Sequence, residues 1–145
     1  GGYINRAAAS SANIVGVFSH CYYVASDGTP TFKNYYPADT TALGSGAIEA
    51  YIYDDPNQMF VIQADGASAV TCVGRNADTD GIGGSTTTGV STRELDSSTI
   101  NTTQGLQLKI MGAVQDDING DLTADNANLV VIINEHAYRG PVAGT

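Results

Sequence analysis

Tryptophan is absent from this chain of 145 residues, and cations, imidazoles and thiols are scarce: six lysines and arginines together, two histidines and two cysteines. Each shortage excludes something. Fifteen acidic residues against six cations give a formal net charge of −9, so the surface as a whole repels phosphate backbones and anionic headgroups. No nucleic acid and no membrane partner is expected. Cys21 and Cys72 lie far apart in apolar runs and fit no metal-ligand spacing, so both are expected as buried free thiols rather than a disulfide. No apolar run approaches the roughly 18 residues of a membrane-spanning helix, and no signal peptide is visible. Charged residues make up 14%, against about a quarter in an average domain.

Glycine, serine, threonine, alanine and asparagine fill the gap, the signature of short strands joined by many turns. A chain of this length is one domain, able to bury about two-thirds of its unfolded surface without metal or disulfide. The chain opens on Gly1 rather than Met, so processing or a preceding segment is expected.

The pattern is organised around the stretch from Ala47 to Gly66. Ile48, Ala50 and Ile52 alternate with Glu49, Tyr51 and Tyr53, as in a strand with one face on a core. Asp54-Asp55-Pro56-Asn57 breaks the pattern with turn chemistry. Met59 to Ile62 then returns, apolar on both faces and so expected to be covered on both sides. The sequence therefore predicts a hairpin here. Residues 1–13 are small and polar with the lone anchor Tyr3, and predict an extended N-terminal arm whose order comes from a partner. Residues 14–145 form the domain. Ile14 to Val24 is β-branched and aromatic, a strand in which Gly16 marks a bulge or close backbone contact. Asp27-Gly28 turns it into a second hairpin with Thr31 to Tyr36.

Further on, Pro37 to Gly46 predicts a loop, Ala67 to Val73 a short strand, and Gly74 to Gly89 a long loop without a core-facing pattern. Ser91 to Leu95 predicts a single helical turn. Leu106, Leu108 and Ile110 alternate with polar or flexible residues as a half-buried strand, Asp116 to Asn128 is an acidic loop, and Leu129 to Tyr138 is a central strand. About seven or eight strands with no crossover helix predict an all-β fold, an antiparallel β-sandwich or closed β-barrel of jelly-roll type.

Catalytic and metal motifs fail on inspection. Asp117, Asn119 and Asp121 open like a calcium loop, but Leu122 and Asn128 stand where Gly and Glu or Asp belong, so a solvated turn is the better reading. His20, Cys21, Cys72 and His136 share no zinc spacing. No Gly-x-Ser-x-Gly elbow is present, and Gly81-Ile82-Gly83-Gly84 lacks the flanking strand and helix of a phosphate loop. Adjacent Asp54 and Asp55 suit a turn better than acid–base chemistry. No enzyme, no cofactor and no metal are expected.

Several blocks occur in a recognisable succession. They are 48–56 (Ile-Glu-Ala-Tyr-Ile-Tyr-Asp-Asp-Pro), 60–66 (Phe-Val-Ile-Gln-Ala-Asp-Gly), 74–78 (Gly-Arg-Asn-Ala-Asp), 88–91, 94–98, 108–112 (Leu-Lys-Ile-Met-Gly) and 131–136 (Val-Ile-Ile-Asn-Glu-His). In order and spacing, over about two-thirds of the chain, they resemble tailed-bacteriophage virion proteins of the capsid decoration, or cement, type. The resemblance implies a small β-domain on the outer surface of the phage capsid that stabilises contacts between major capsid protein subunits, with no cofactor. It also implies self-association as dimer or trimer, with Tyr3, Ile4, Asn5 and Arg6 of the arm at the capsid interface. Assembly in a reducing cytosol agrees with free thiols. The alternative is a receptor- or carbohydrate-binding β-module using some of the eight tyrosines, although tyrosines at alternate strand positions are expected to pack a barrel.

Overall fold

A computed structural model describes residues 3–37, 42, 48–81, 83–116 and 120–145. The fold is all-β, in three antiparallel sheets. Strand β1 (Val17–Val24) lies between β2 (Pro30–Lys33) and β3 (Glu49–Tyr53); β9 (Asn128–Ile133) and β8 (Leu108–Ala113) lie between β4 (Met59–Gln63) and β5 (Asn76–Ala77); β6 (Thr79–Asp80) pairs with β7 (Glu94–Leu95). Among the described residues no sheet closes on itself.

The turn at 54–58 forms as its residues dictate, with the Asn57 amide donating to Asp55 Oδ1 at 2.8 Å and the Gln58 amide to the Asp55 carbonyl at 3.0 Å. The strands it joins do not pair. Strand β3 pairs with β1 and β4 with β9, so the predicted hairpin is a corner between two sheets. Local turn chemistry reverses a chain but does not choose its neighbour; the longer complementary strands β1 and β9 compete successfully for each arm. Strand β4 is accordingly an edge strand, not the covered interior strand expected from its sequence, and Val61 is 63% exposed.

The β1–β2 hairpin forms as predicted, in register from Cys21 opposite Lys33 to Val24 opposite Pro30. Its loop is longer than two residues: the Ala25 amide bonds to the Thr29 carbonyl, and Gly28 takes φ +86°, a left-handed position favouring glycine. Gly16 is the close contact anticipated. A Cβ there would stand 2.1 Å from the Tyr53 carbonyl oxygen.

The main core lies on one face of the four-stranded sheet, where Leu108, Ile110, Leu129, Val131 and Ile133 are buried with Ala64, Cys72, Ala77 and Leu95, and Phe60 and Ile62 pack against them. Strand β9 is central in that sheet, as its apolar run predicts. Three local expectations are corrected. Val70–Cys72 is a 3-10 turn rather than a strand, because of its segment only Ser68 and Cys72 are buried and no alternating face exists. The loop from Gly74 contains β5 and β6, with Asn76 and Ala77 fully buried, the asparagine because its amide donates to the Thr103 and Val142 carbonyls at 3.0 and 2.7 Å. Leu95, predicted in a helical turn, ends β7: Ser91 Oγ does accept from the Arg93 amide at 3.0 Å, but burial of Leu95 and its parallel bridge to Ala64 draw the chain extended. Most of the predicted loop at 37–46 lies outside the described residues.

The N-terminal segment is fastened by its own domain. Arg93 Nη2 donates to the Ala7 carbonyl, and Gln107 Nε2 donates to the carbonyls of Ala8 and Ser11 at 2.9 and 3.1 Å. Polar anchoring rather than apolar burial holds residues 7–11 against the domain. Gly1 and Gly2 lie outside the described residues.

Candidate functional site

The register of the three-stranded sheet sorts its side chains into two faces. Cross-strand partners share a face, so Cys21 lies with Lys33 and Ala50 on one, and Tyr22 with Phe32 and Glu49 on the other. A bulge at Ser19 shifts the pairing between Phe18 opposite Ile52 and His20 opposite Tyr51. Phe18 thereby turns inward with Ile52, while His20 joins Tyr22, Tyr51 and Phe32 outside.

The outer face is an aromatic platform. His20 stacks on Tyr51 with ring centres 4.5 Å apart and planes within 7°, Tyr22 meets Phe32 at 4.9 Å, and Phe32 lies 6.2 Å from His20. Tyr53 continues the row opposite Val17. Phe32 is 66% exposed, Tyr53 56% and Tyr51 46%, which corrects the expectation that strand tyrosines pack a barrel; Tyr23, on the inner face, is the buried one of its strand. Glu49 is the acidic residue of this face, and Ser19 Oγ lies 3.1 Å from His20 Nδ1. Lys33, on the other face, has its ammonium 5.3 Å from the Tyr35 ring centre; bonding to that tyrosine raises the lysine above its ordinary range.

Such a surface offers flat, stacked rings with π faces and a carboxylate at the rim. It can hold a ligand by apolar burial and stacking. Clustered exposed rings of this kind mark interaction sites on soluble proteins. The signal was present in the sequence: Tyr51 and Tyr53 share their alternation phase with Glu49, the solvent-facing phase. The Ser19 bulge, which aligns His20 with them, had no such signal.

The arm residues proposed as an interface are exposed at Tyr3, Ile4, Asn5 and Arg6. The Arg6 amide bonds to Asn5 Oδ1 at 3.0 Å. Arg93 is lowered from its ordinary range, first by burial and then by the charge of Arg6.

His20, Cys21, Cys72 and His136 are not brought together: among the described residues no three of His, Cys, Asp or Glu form a metal-holding group. Cys21 and Cys72 are free and buried, as predicted, with Cys21 Sγ donating to the Tyr35 carbonyl at 3.3 Å. His136 Nδ1 accepts from the Tyr138 amide at 3.1 Å. Of the calcium-loop candidates, Asp117 and Asn119 lie outside the described residues, as does Ile82 of the glycine loop. Asp121 Oδ1 accepts from both the amide and the hydroxyl of Thr123, at 2.8 and 2.7 Å. No helix among the described residues is long and apolar enough to cross a membrane. Comparison with protein-family models, curated proteins and solved structures returns no match to this chain.

Proposed function

We propose that this chain is a structural protein of a bacteriophage virion, a decoration protein that sits on the outer surface of the head and ties neighbouring major capsid subunits together. The observation that carries the reading is the aromatic platform of His20, Tyr22, Phe32, Tyr51 and Tyr53, an extended apolar surface on a hydrogen-bonded sheet rather than a cleft. A decoration protein needs a rigid face to lay against a capsid seam and an outer surface that avoids self-aggregation, and the net charge of −9 supplies the second. The finer architecture we infer is a jelly-roll-like sandwich in which the corner at 54–58 carries the chain from one layer to the other. The exposed residues Tyr3 to Arg6 extend ahead of the anchored segment 7–11 as a second capsid contact, and copies of the chain associate as dimer or trimer on the head.

The exposed ring faces of Phe32 and Tyr51 favour one other reading, a virion-surface or extracellular module that stacks a sugar ring on the platform. One experiment separates the two. Phe32→Ser with Tyr51→Ser is expected to leave the melting temperature within a few degrees of wild type and to abolish co-sedimentation with purified heads. Wild-type protein is expected in virions on the order of hundreds of copies, in fixed ratio to the major capsid protein. A handful of copies, with glycan binding that the double variant loses, overturns decoration in favour of the sugar-binding module.

A further inference from the structure

Five buried side-chain polar atoms among the described residues have no hydrogen-bond partner: Ser68 Oγ, Arg75 Nε, Asn76 Oδ1, His136 Nε2 and Arg139 Nε. Buried donors and acceptors are nearly always paired in folded proteins, and leaving one unpaired costs about 1–3 kcal/mol. Two of the five belong to one place. Ser68 and Arg75 line a single recess of about 170 Å³, together with Thr71, Cys72, Ser97 and Ile100.

The recess is framed by two tight turns. In the first, the Cys72 amide bonds to the Ala69 carbonyl at 2.9 Å and the Arg75 amide to the Cys72 carbonyl at 3.0 Å. In the second, Ser97 starts the 3-10 turn Ser97–Thr99, its amide held by Asp65 Oδ1 at 2.9 Å. The Ser68 amide bonds to the Leu122 carbonyl at 2.9 Å, and the residue is only 4% exposed, so its hydroxyl is largely sheltered. Burial pushes the Cys72 thiol up while the charge of Arg75 pulls it the other way, consistent with a guanidinium beside a neutral thiol.

The chemistry of the lining selects a ligand class. Arg75 Nε–H is a donor and the Ser68 hydroxyl can donate; among the described residues no acidic side chain lines the recess. A ligand must therefore supply acceptor lone pairs, and one negative charge matches one guanidinium. Carboxylate does both, and its two oxygens fit the guanidinium fork. A phosphate dianion would leave charge uncompensated in a protein that already carries −9. The volume falls below the roughly 300 Å³ at which pockets for nucleotides or drug-sized cofactors begin. We propose that this recess is a carboxylate-binding site in which Arg75 supplies the charge and Ser68 a second hydrogen bond. The site is independent of the decoration reading.

Nuclear magnetic resonance titration of the full chain tests it. Sodium acetate, against sodium chloride at equal ionic strength, is expected to shift Arg75 Nε–H and the amides of Ser68 and Thr71 saturably. Arg75→Gln is expected to weaken acetate at least tenfold and Ser68→Ala at least threefold; Ser68→Ala also removes a buried unpaired hydroxyl, so its fold should survive. Inorganic phosphate is expected to bind more weakly than acetate. A second arm with N-acetylglutamate N-methylamide distinguishes sources: binding at least tenfold tighter than acetate assigns the site to a partner chain's acidic side chain, and equal binding assigns it to free small carboxylates. Shifts no larger than those in chloride mean that the recess holds water only and overturn the proposal. So do acetate shifts that persist in folded Arg75→Gln, or phosphate binding tighter than acetate.

Discussion

Gln107 and Ala8 stand 99 positions apart in the chain, yet the Gln107 side-chain amide donates to the Ala8 carbonyl at 2.9 Å. The same side chain is filled on every valence. Nε2 also reaches the Ser11 carbonyl, and Oε1 accepts from the amide and hydroxyl of Thr79 at 3.1 and 2.7 Å. A buried glutamine so placed ties the N-terminal segment, β6 and the start of β8 into one network.

Gln107→Ala is therefore expected to destabilise the domain by about 2–4 kcal/mol, because Thr79 loses its acceptor and a cavity remains. Deleting residues 1–11 should cost less, about 1–2 kcal/mol, since water can reach the freed Gln107 amide. The two effects should fall short of additivity when combined, because they share a partner. Urea unfolding of the four proteins measures all three quantities. An unchanged midpoint on deletion would show that the anchored segment contributes nothing to stability.

Two glycines on adjacent sheets give opposite expectations. A Cβ at Gly16 would meet the Tyr53 carbonyl carbon and oxygen at 2.8 and 2.1 Å, atoms of a backbone that cannot swing aside. Gly16→Ala should cost about 1–3 kcal/mol by forcing β1 and β3 apart. Around Gly112, in β8, nothing lies within 4 Å of such an atom. Gly112→Ala should be neutral or gain up to about 1 kcal/mol, because glycine loses more entropy in a strand than alanine. Thermal melts of both variants are sufficient, and equal losses would contradict the contact at Gly16.

How much of this was readable in the sequence depends on which residues carried information locally. Period-2 alternation located β8 by Leu108 and Ile110, and the run of five apolar residues from Leu129 marked β9 as central. Asp27-Gly28 marked the first hairpin. What failed was pairing: Asp54 to Asn57 specified a turn but not that β3 and β4 would leave for different sheets. Two-residue strands failed as well, since Asn76-Ala77 and Glu94-Leu95 are too short to show a period, and their burial comes from Lys109, Leu108 and Ala64 far along the chain. The aromatic platform was half legible, in the shared phase of Glu49, Tyr51 and Tyr53. Its other half depends on a one-residue bulge. The recess at Ser68 and Arg75 depends on turns that bring together separate segments, and no spacing in the sequence announces it.

Both thiols are raised above their ordinary 9.0, in each case chiefly by burial, with Lys33 and Arg75 pulling partly back. Burial thus favours the neutral thiol in the folded state relative to the unfolded chain. The sign follows: this contribution is fully present below pH 9 and is lost as pH rises through the higher folded values. A thiol-specific reagent at pH 8 should label neither Cys21 nor Cys72 before urea unfolds the chain, and stability should decline above pH 9. Serine at both positions should flatten that alkaline decline. Rapid labelling of the native protein would show that one thiol is accessible.

Asp121 carries the last expectation, where metal binding and local turn bonding lead to different measurements. Its carboxyl lies below the usual 3.8, first because the Thr123 side chain bonds to it and then because the Thr123 amide does. A folded value below the unfolded one stabilises the domain above pH 3.8, and that contribution is lost as pH falls through the folded value. Acid unfolding should therefore shift when Thr123→Val removes the hydroxyl bond. If the loop instead bound calcium only when folded, metal at 100 times its dissociation constant would add about 2.7 kcal/mol, and a chelator would remove it. With Asp121 Oδ1 already accepting two bonds from Thr123, and Leu122 in the place of the loop glycine, the expected change in melting temperature on chelation is none. A calcium-dependent rise of several degrees that disappears in Asp121→Ala would establish a structural metal site and refute the turn as the whole role of this residue.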